Sequence, residues 1–154
     1  MVYGPTEMAA AFSKEYGNGF FGIFEVDEEG SDCASVSSPD GDNTSIVWFG
    51  MPEDVEGEYA NRKAYVDSKR KRLGPMGKLV EFTCESRFDE SYGGILNFHL
   101  LGKKGGFFFF TARRGDVLLF IQAYSTNGKG QVPDTERERI IDVASRCMNA
   151  PSTS

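Results

Sequence analysis

Gly93-Gly94-Ile95-Leu96-Asn97-Phe98-His99-Leu100-Leu101 opens the stretch that decides the fold. It continues through Gly102-Lys103-Lys104-Gly105-Gly106 to Phe107-Phe108-Phe109-Phe110-Thr111-Ala112, then Arg113-Arg114-Gly115-Asp116, then Val117 to Thr126. Three runs rich in aromatic and β-branched residues, separated by two glycine-bearing turns, read as a three-stranded meander. Successive side chains on a strand point to opposite faces, so the four consecutive phenylalanines place two rings on each side of the sheet. A strand apolar on both sides is a central strand covered on both sides. If the helices all gather on one face, the second ring pair is exposed and marks a docking surface; if they flank the sheet, all four rings are core. In the first strand Leu96, Phe98 and Leu100 share one face, and Ile95, Asn97, His99 and Leu101 the other. In the third, Val117, Leu119, Ile121 and Ala123 oppose Leu118, Phe120, Gln122 and Tyr124.

Upstream, Gly77 to Arg87 alternates, with Val80, Phe82 and Cys84 on the expected core face. Pro52, Glu53 and Asp54 suit a helix start, and the spacing of Val55, Tyr59, Val66 and Leu73 predicts a long helix over Glu53 to Leu73. Its Lys69-Arg70-Lys71-Arg72 end, before Gly74-Pro75, reads as cations placed at the negative end of a helix. Thr44 to Gly50 is a strong strand, Cys33 to Ser37 a weak polar one at an edge, Asp27 to Ser31 an acidic turn, and Phe20 to Val26 a strand. Met8, Ala9, Ala11, Phe12 and Tyr16 predict a short amphipathic helix after Pro5. Downstream, a glycine-rich loop from Asn127 to Val132 precedes a final helix whose buried stripe is Ile140, Val143, Ala144, Cys147 and Met148. Strands running consecutively after the long helix imply an antiparallel sheet. The expected fold is α+β: a single-domain α/β/α sandwich with a mostly antiparallel sheet of six or seven strands. The expected divisions are an N-terminal helical segment over 1–18, one domain over 19–149 and a polar tail over 150–154.

The chain has 154 residues, 40% of them apolar and 26% charged, which is a globular balance. A net charge of −6 weighs against a nucleic-acid backbone or an anionic membrane as the main partner. No run is apolar and long enough for a membrane span. Cys33, Cys84 and Cys147 lack close spacing, which fits free thiols and also fits one disulfide, Cys33 to Cys84, with one buried thiol. Met1 to Ala11 has no signal-peptide pattern, so the expected home is the cytoplasm, with the periplasm or exterior the alternative if a leader has been removed.

The element order resembles the PsbP-like superfamily: strands, long helix, strand, the Gly93-Gly94 step into a meander, and a terminal helix. The resemblance covers roughly Phe20 to Met148. It implies an α/β/α sandwich that binds other proteins, as the superfamily's extrinsic photosystem protein, Ran-binding import factor and type VI effector chaperones do. The chain departs from it in the long segment from Asp27 to Asn43 and in its N-terminal helix.

Candidate sites are few. His99 is the only histidine and could centre a small hydrolase or ligand-binding enzyme. Glu81 and Glu85 share a strand face, as paired catalytic carboxylates might be arranged, although solvated residues explain them equally. Asp40, Asp42 and Asn43 form a turn that lacks the glutamate a calcium loop needs. No cofactor and no metal are expected. The reading these features favour is a non-enzymatic, bacterial-type protein-binding module: an adaptor, a secretion chaperone or an inhibitor or immunity-type protein. Its expected contact residues are Phe107, Phe109, Asn97, His99 and Tyr124. A mature periplasmic lipoprotein domain is the other alternative, and the chain is expected to be a monomer or a homodimer.

Overall fold

Pro5 opens α1 (Pro5–Tyr16), where its missing N–H has no helical partner to lose, and Gly17 at φ 63° ends it. A small ribbon follows, β1 (Asn18–Gly19) with β2 (Gly22–Ile23). Next come β3 (Glu25–Glu29), β4 (Cys33–Asp40) and β5 (Asn43–Gly50). Helix α2 (Val55–Leu73) is capped by Asp54, whose carboxylate accepts from the Gly57 N–H at 3.0 Å. The chain ends with β6 (Leu79–Phe82), β7 (Glu90–Leu100), β8 (Lys103–Arg114), β9 (Val117–Ser125) and α3 (Asp134–Met148). This computed structural model describes residues 3–73, 75, 79–84, 86–126 and 128–148.

β3 to β9 form one antiparallel sheet in the order β3-β4-β5-β9-β8-β7-β6. The meander is present, with shorter turns than the composition suggests. Leu101-Gly102 alone joins β7 to β8, and Lys103 to Gly106 pair with Leu100 to Asn97. Phe108 and Phe110 fall on one face with Leu119 and Ile121; Phe107 and Phe109 fall on the other with Leu96 and Phe120.

Helices wall both faces. α1 and α3 cover the first, seating Met8, Phe12, Tyr16, Ile140, Ala144 and Cys147 against Phe24, Phe49 and the Phe108/Phe110 pair. α2 covers the second with Val66 and Leu73. Phe109 is 1% and Phe107 9% exposed, so the second ring pair is core and not an open surface. Each such ring, buried, contributes about 1.5–3 kcal/mol before ordering costs. Gly93 has a packing reason. Phe82 and Phe110 stack over it with centroids 5.7 Å apart, and a Cβ there would lie 2.8 Å from both rings.

Several local expectations are corrected. Phe20 to Val26 is not one strand: the small ribbon and β3 divide it, and the acidic residues through Glu29 belong to β3. β4 runs to Asp40 and is the second strand, because acidic β3 takes the edge. Val80 is 50% exposed near the opposite edge rather than core. Cys33 and Cys84 are free thiols on strands β4 and just beyond β6, five strand spacings apart, or roughly 24 Å. A disulfide requires Cα atoms within about 7 Å, so this pair cannot bridge in the folded chain. Gly77 and Glu85, and with them the start of the alternating strand and the Glu81–Glu85 pair, lie outside the described residues, as do Asn127 and the tail from Asn149.

Candidate functional site

α2 is narrower than the sheet it covers. It packs on β7, β8 and β9, leaving that face of β5, β4 and β3 without a helix. Directly paired residues of antiparallel strands share a face. One transverse row on the open half is therefore Glu28, Ser35, Trp48 and Phe120, and the next is Glu25, Ser37, Ile46 and Gln122. The floor is thus aromatic and aliphatic toward α2, small and hydroxylic on β4, and acidic at β3.

The result is a groove of about 440 Å³ between α2 and the edge strand. Ile46, Trp48 and Phe120 form its floor, Arg62 its helical wall, and Asp27 and Glu28 its outer rim. Arg62 lays its guanidinium over two rings, 4.5 Å from the Trp48 centroid and 4.9 Å from that of Phe120. Such stacking is worth roughly 0.5–1 kcal/mol at a half-exposed site and leaves the N–H edges of the guanidinium open. Among the described residues Arg62 makes no ion pair, and neither do Glu25, Asp27 and Glu29 of the edge strand, so the groove's charges are uncommitted. Gly50 sets the floor: a Cβ there would run into the Trp48 ring, so only glycine lets the indole lie flat. Cys33 lies beside Glu28, with Sγ 3.8 Å from Oε1. Burial, and after it the Glu28 carboxylate, hold this thiol above its ordinary range, so it is protonated and a poor nucleophile at neutral pH.

The five residues expected to make contacts do not form one site. Phe107 and Phe109 are buried under α2, and half-buried Tyr124 meets both edge-on, at 5.4 and 6.2 Å. Asn97 and His99 point to the opposite face. Asn97 is held by the Val132 backbone, accepting from its N–H at 2.9 Å and donating to its C=O at 3.4 Å. His99 is exposed opposite Lys104, and among the described residues no carboxylate bonds to it.

The other flank of α2 carries shallow depressions along Tyr59, Lys63 and Tyr92. The charges there are largely paired. Arg113 binds Glu90 at 2.9 Å and Asp89 at 3.5 Å, Lys63 sits over the Tyr92 ring, and Tyr92 donates toward Glu81 at 2.9 Å. Burial pushes the Tyr59 hydroxyl up to about 12, with Glu90 adding to the shift. Among the described residues no three His, Cys, Asp or Glu side chains converge to hold a metal ion, and no helix is long and apolar enough to cross a membrane.

Comparison with protein-family models, with curated proteins and with solved structures finds no match.

Trp48, Arg62, Asp27 and Glu28 are absent from the sequence-derived set. Their signal was present in part: Ile46 and Trp48 alternate on a strong strand and include the only tryptophan. That this face lacks a helix depends on where α2 lands, which no local pattern specifies.

Proposed function

We propose that the chain is a non-enzymatic protein-binding module that takes an extended, basic segment of another protein into the groove between α2 and β3. The observation that carries the reading is the open half of the sheet, where an aromatic floor meets an acidic, unpaired edge. All five residues of β3 are exposed, four of them acidic. An edge strand offers free backbone groups to an incoming strand. Its carboxylates repel a second copy of themselves and attract a cationic segment. Once paired to β3, alternate side chains of that segment reach across the groove, where Asp27 and Glu28 meet cations beside the Arg62-covered Trp48 ring. Arg62 illustrates the compatibility, since the floor already stacks one guanidinium. The protein-binding role that the PsbP-like resemblance implies, and an adaptor, secretion chaperone or inhibitor or immunity-type protein in particular, would use a site of this kind.

Trp48 is the only tryptophan, so its emission reports the groove directly. Titration with an arginine- and lysine-rich decapeptide is expected to give a saturable emission change that weakens as salt rises, and an acidic decapeptide none. An unchanged spectrum with the basic peptide at millimolar concentration, or an equal response to both peptides, contradicts the reading.

A further inference from the structure

The turn between β7 and β8 breaks a local rule. Leu101 and Gly102 are its two central residues, at φ 52° and 79°. Two successive left-handed residues make a type I′ hairpin turn, which favours Asn-Gly because a Cβ crowds the following carbonyl. Leucine is strained there, and its side chain is 94% exposed. The backbone strain opposes folding, and the side chain, left in water, gains no burial that would offset it. Such an outlier points to a use outside the fold.

The surroundings say what use. Lys103 and Lys104 follow the turn and line a depression of about 510 Å³ together with Thr126 and Gly130. Exposed Lys129 sits between Gly128 and Gly130 on the adjoining loop. The end of α2 reaches the same pole, because Leu73 packs in the cluster of Phe98 and Tyr124, and Arg72 lies beside Tyr124. Lys69 and Lys71 come with it. Acids share this end as well: Asp42 in the β4–β5 turn, Asp134 and Glu136 in the first turn of α3, which starts beside the Val132–Asn97 contact, and Asp40, buried with its Oδ2 accepting from the Thr126 N–H and hydroxyl at 2.6 and 2.5 Å; the cations Lys69, Lys71, Arg72, Lys103, Lys104 and Lys129 outnumber them. The opposite pole carries Glu53, Asp54, Glu56, Asp89, Glu90 and Asp116 against Arg87, Arg113 and Arg114, and so keeps an acidic excess. The net charge of −6 averages over these unlike ends.

We infer that the basic pole docks on an anionic lipid surface, with Leu101 entering the boundary between headgroups and acyl chains and the surrounding cations meeting lipid phosphates. Exposed apolar and basic side chains on one projecting tip match an interface that is apolar within and anionic outside. A nucleic-acid backbone would accept the lysines but gives Leu101 nowhere to go. The inference is independent of the groove reading: the tip joins β7 to β8, whereas the groove lies on β3, β4 and β5.

Sedimentation of the full chain with lipid vesicles tests it. Phosphatidylcholine vesicles are expected to leave the chain in the supernatant, and vesicles with about one-quarter phosphatidylglycerol to pull it down, with release at about 0.5 M salt. Leu101→Asn should lower the partition coefficient about tenfold, the scale of one buried leucine, while the melting temperature stays level or rises. Lys103→Glu with Lys104→Glu should abolish sedimentation. The inference is overturned if anionic vesicles do not sediment the chain, or if Leu101→Asn, still folded, binds them as tightly as the parent. It is also overturned if inorganic phosphate or a short oligonucleotide competes fully and binding does not depend on Leu101.

Discussion

Phe109 and Trp48 lie on the same face of the sheet and have different fates. Phe109 lies under α2 and is 1% exposed, whereas Trp48 lies past the helix, half-buried with Arg62 across it. The parity of the Phe107–Phe110 run is fixed by strand geometry and was legible in the sequence. Which parity meets water is not a local property, since it depends on helices contributed from elsewhere in the chain. Phe109→Ala is expected to cost about 3–5 kcal/mol in a urea denaturation, as for a core ring, and a loss below about 1 kcal/mol would show that α2 does not seal this site. Val80 makes the same point in reverse: its alternation was correct, but on the edge strand β6 even the inward position is half exposed.

At the scale of elements, the sheet and helices followed from apolar periodicity, and the misreadings fell where periodicity is silent. Glu25 to Glu29 has one apolar residue and poor intrinsic strand preference. It becomes a strand because β4 supplies a partner, with a register shift between Val26 and Glu28. Lys103 to Gly106 likewise joins β8 through pairing with β7. α2 differs from the other helices in how it is held. α3 buries Ile140, Ile141, Val143, Ala144, Cys147 and Met148, whereas α2 buries Tyr59 and Val66, half-buries Leu73, and is held further by cation–π contacts from Arg62 and Lys63, by Tyr65 edge-on to Phe120, and by the Tyr65–Gln122 and Tyr92–Asp67 hydrogen bonds. Few buried apolar contacts mean a low local opening free energy. Hydrogen exchange should therefore be faster across the middle of α2 than across α3; equal protection would contradict this.

For the molecule as a whole, two physical asymmetries matter: one half of one face is uncovered, and the two ends carry opposite charge. The antiparallel sandwich was legible because the inner strands and the three helices carry their own apolar patterns. The groove was not, because it is the gap left by elements of unequal width. Burial also sets an alkaline limit. Burial pushes the Tyr59 hydroxyl up to about 12 and the Cys147 thiol up to about 11, from ordinary values of 10.0 and 9.0. A group whose folded pKa is raised adds stability that is complete below its unfolded pKa and lost as pH rises through the folded value. Stability should thus fall from about pH 9 upward, with Tyr59 ionising on unfolding, as followed by near-ultraviolet absorbance against circular dichroism. Tyrosine ionisation complete by pH 10 with the fold intact would contradict it.

Backbone amide chemical shifts, recorded while a lysine- and arginine-rich decapeptide is added, test the docking groove most directly. The shifts should concentrate on Glu25 to Glu29, Ser35, Ile46, Trp48 and Arg62 and leave α1 and α3 unmoved. Shifts centred on any other surface, or none at millimolar peptide, would contradict the groove as the place where a partner binds.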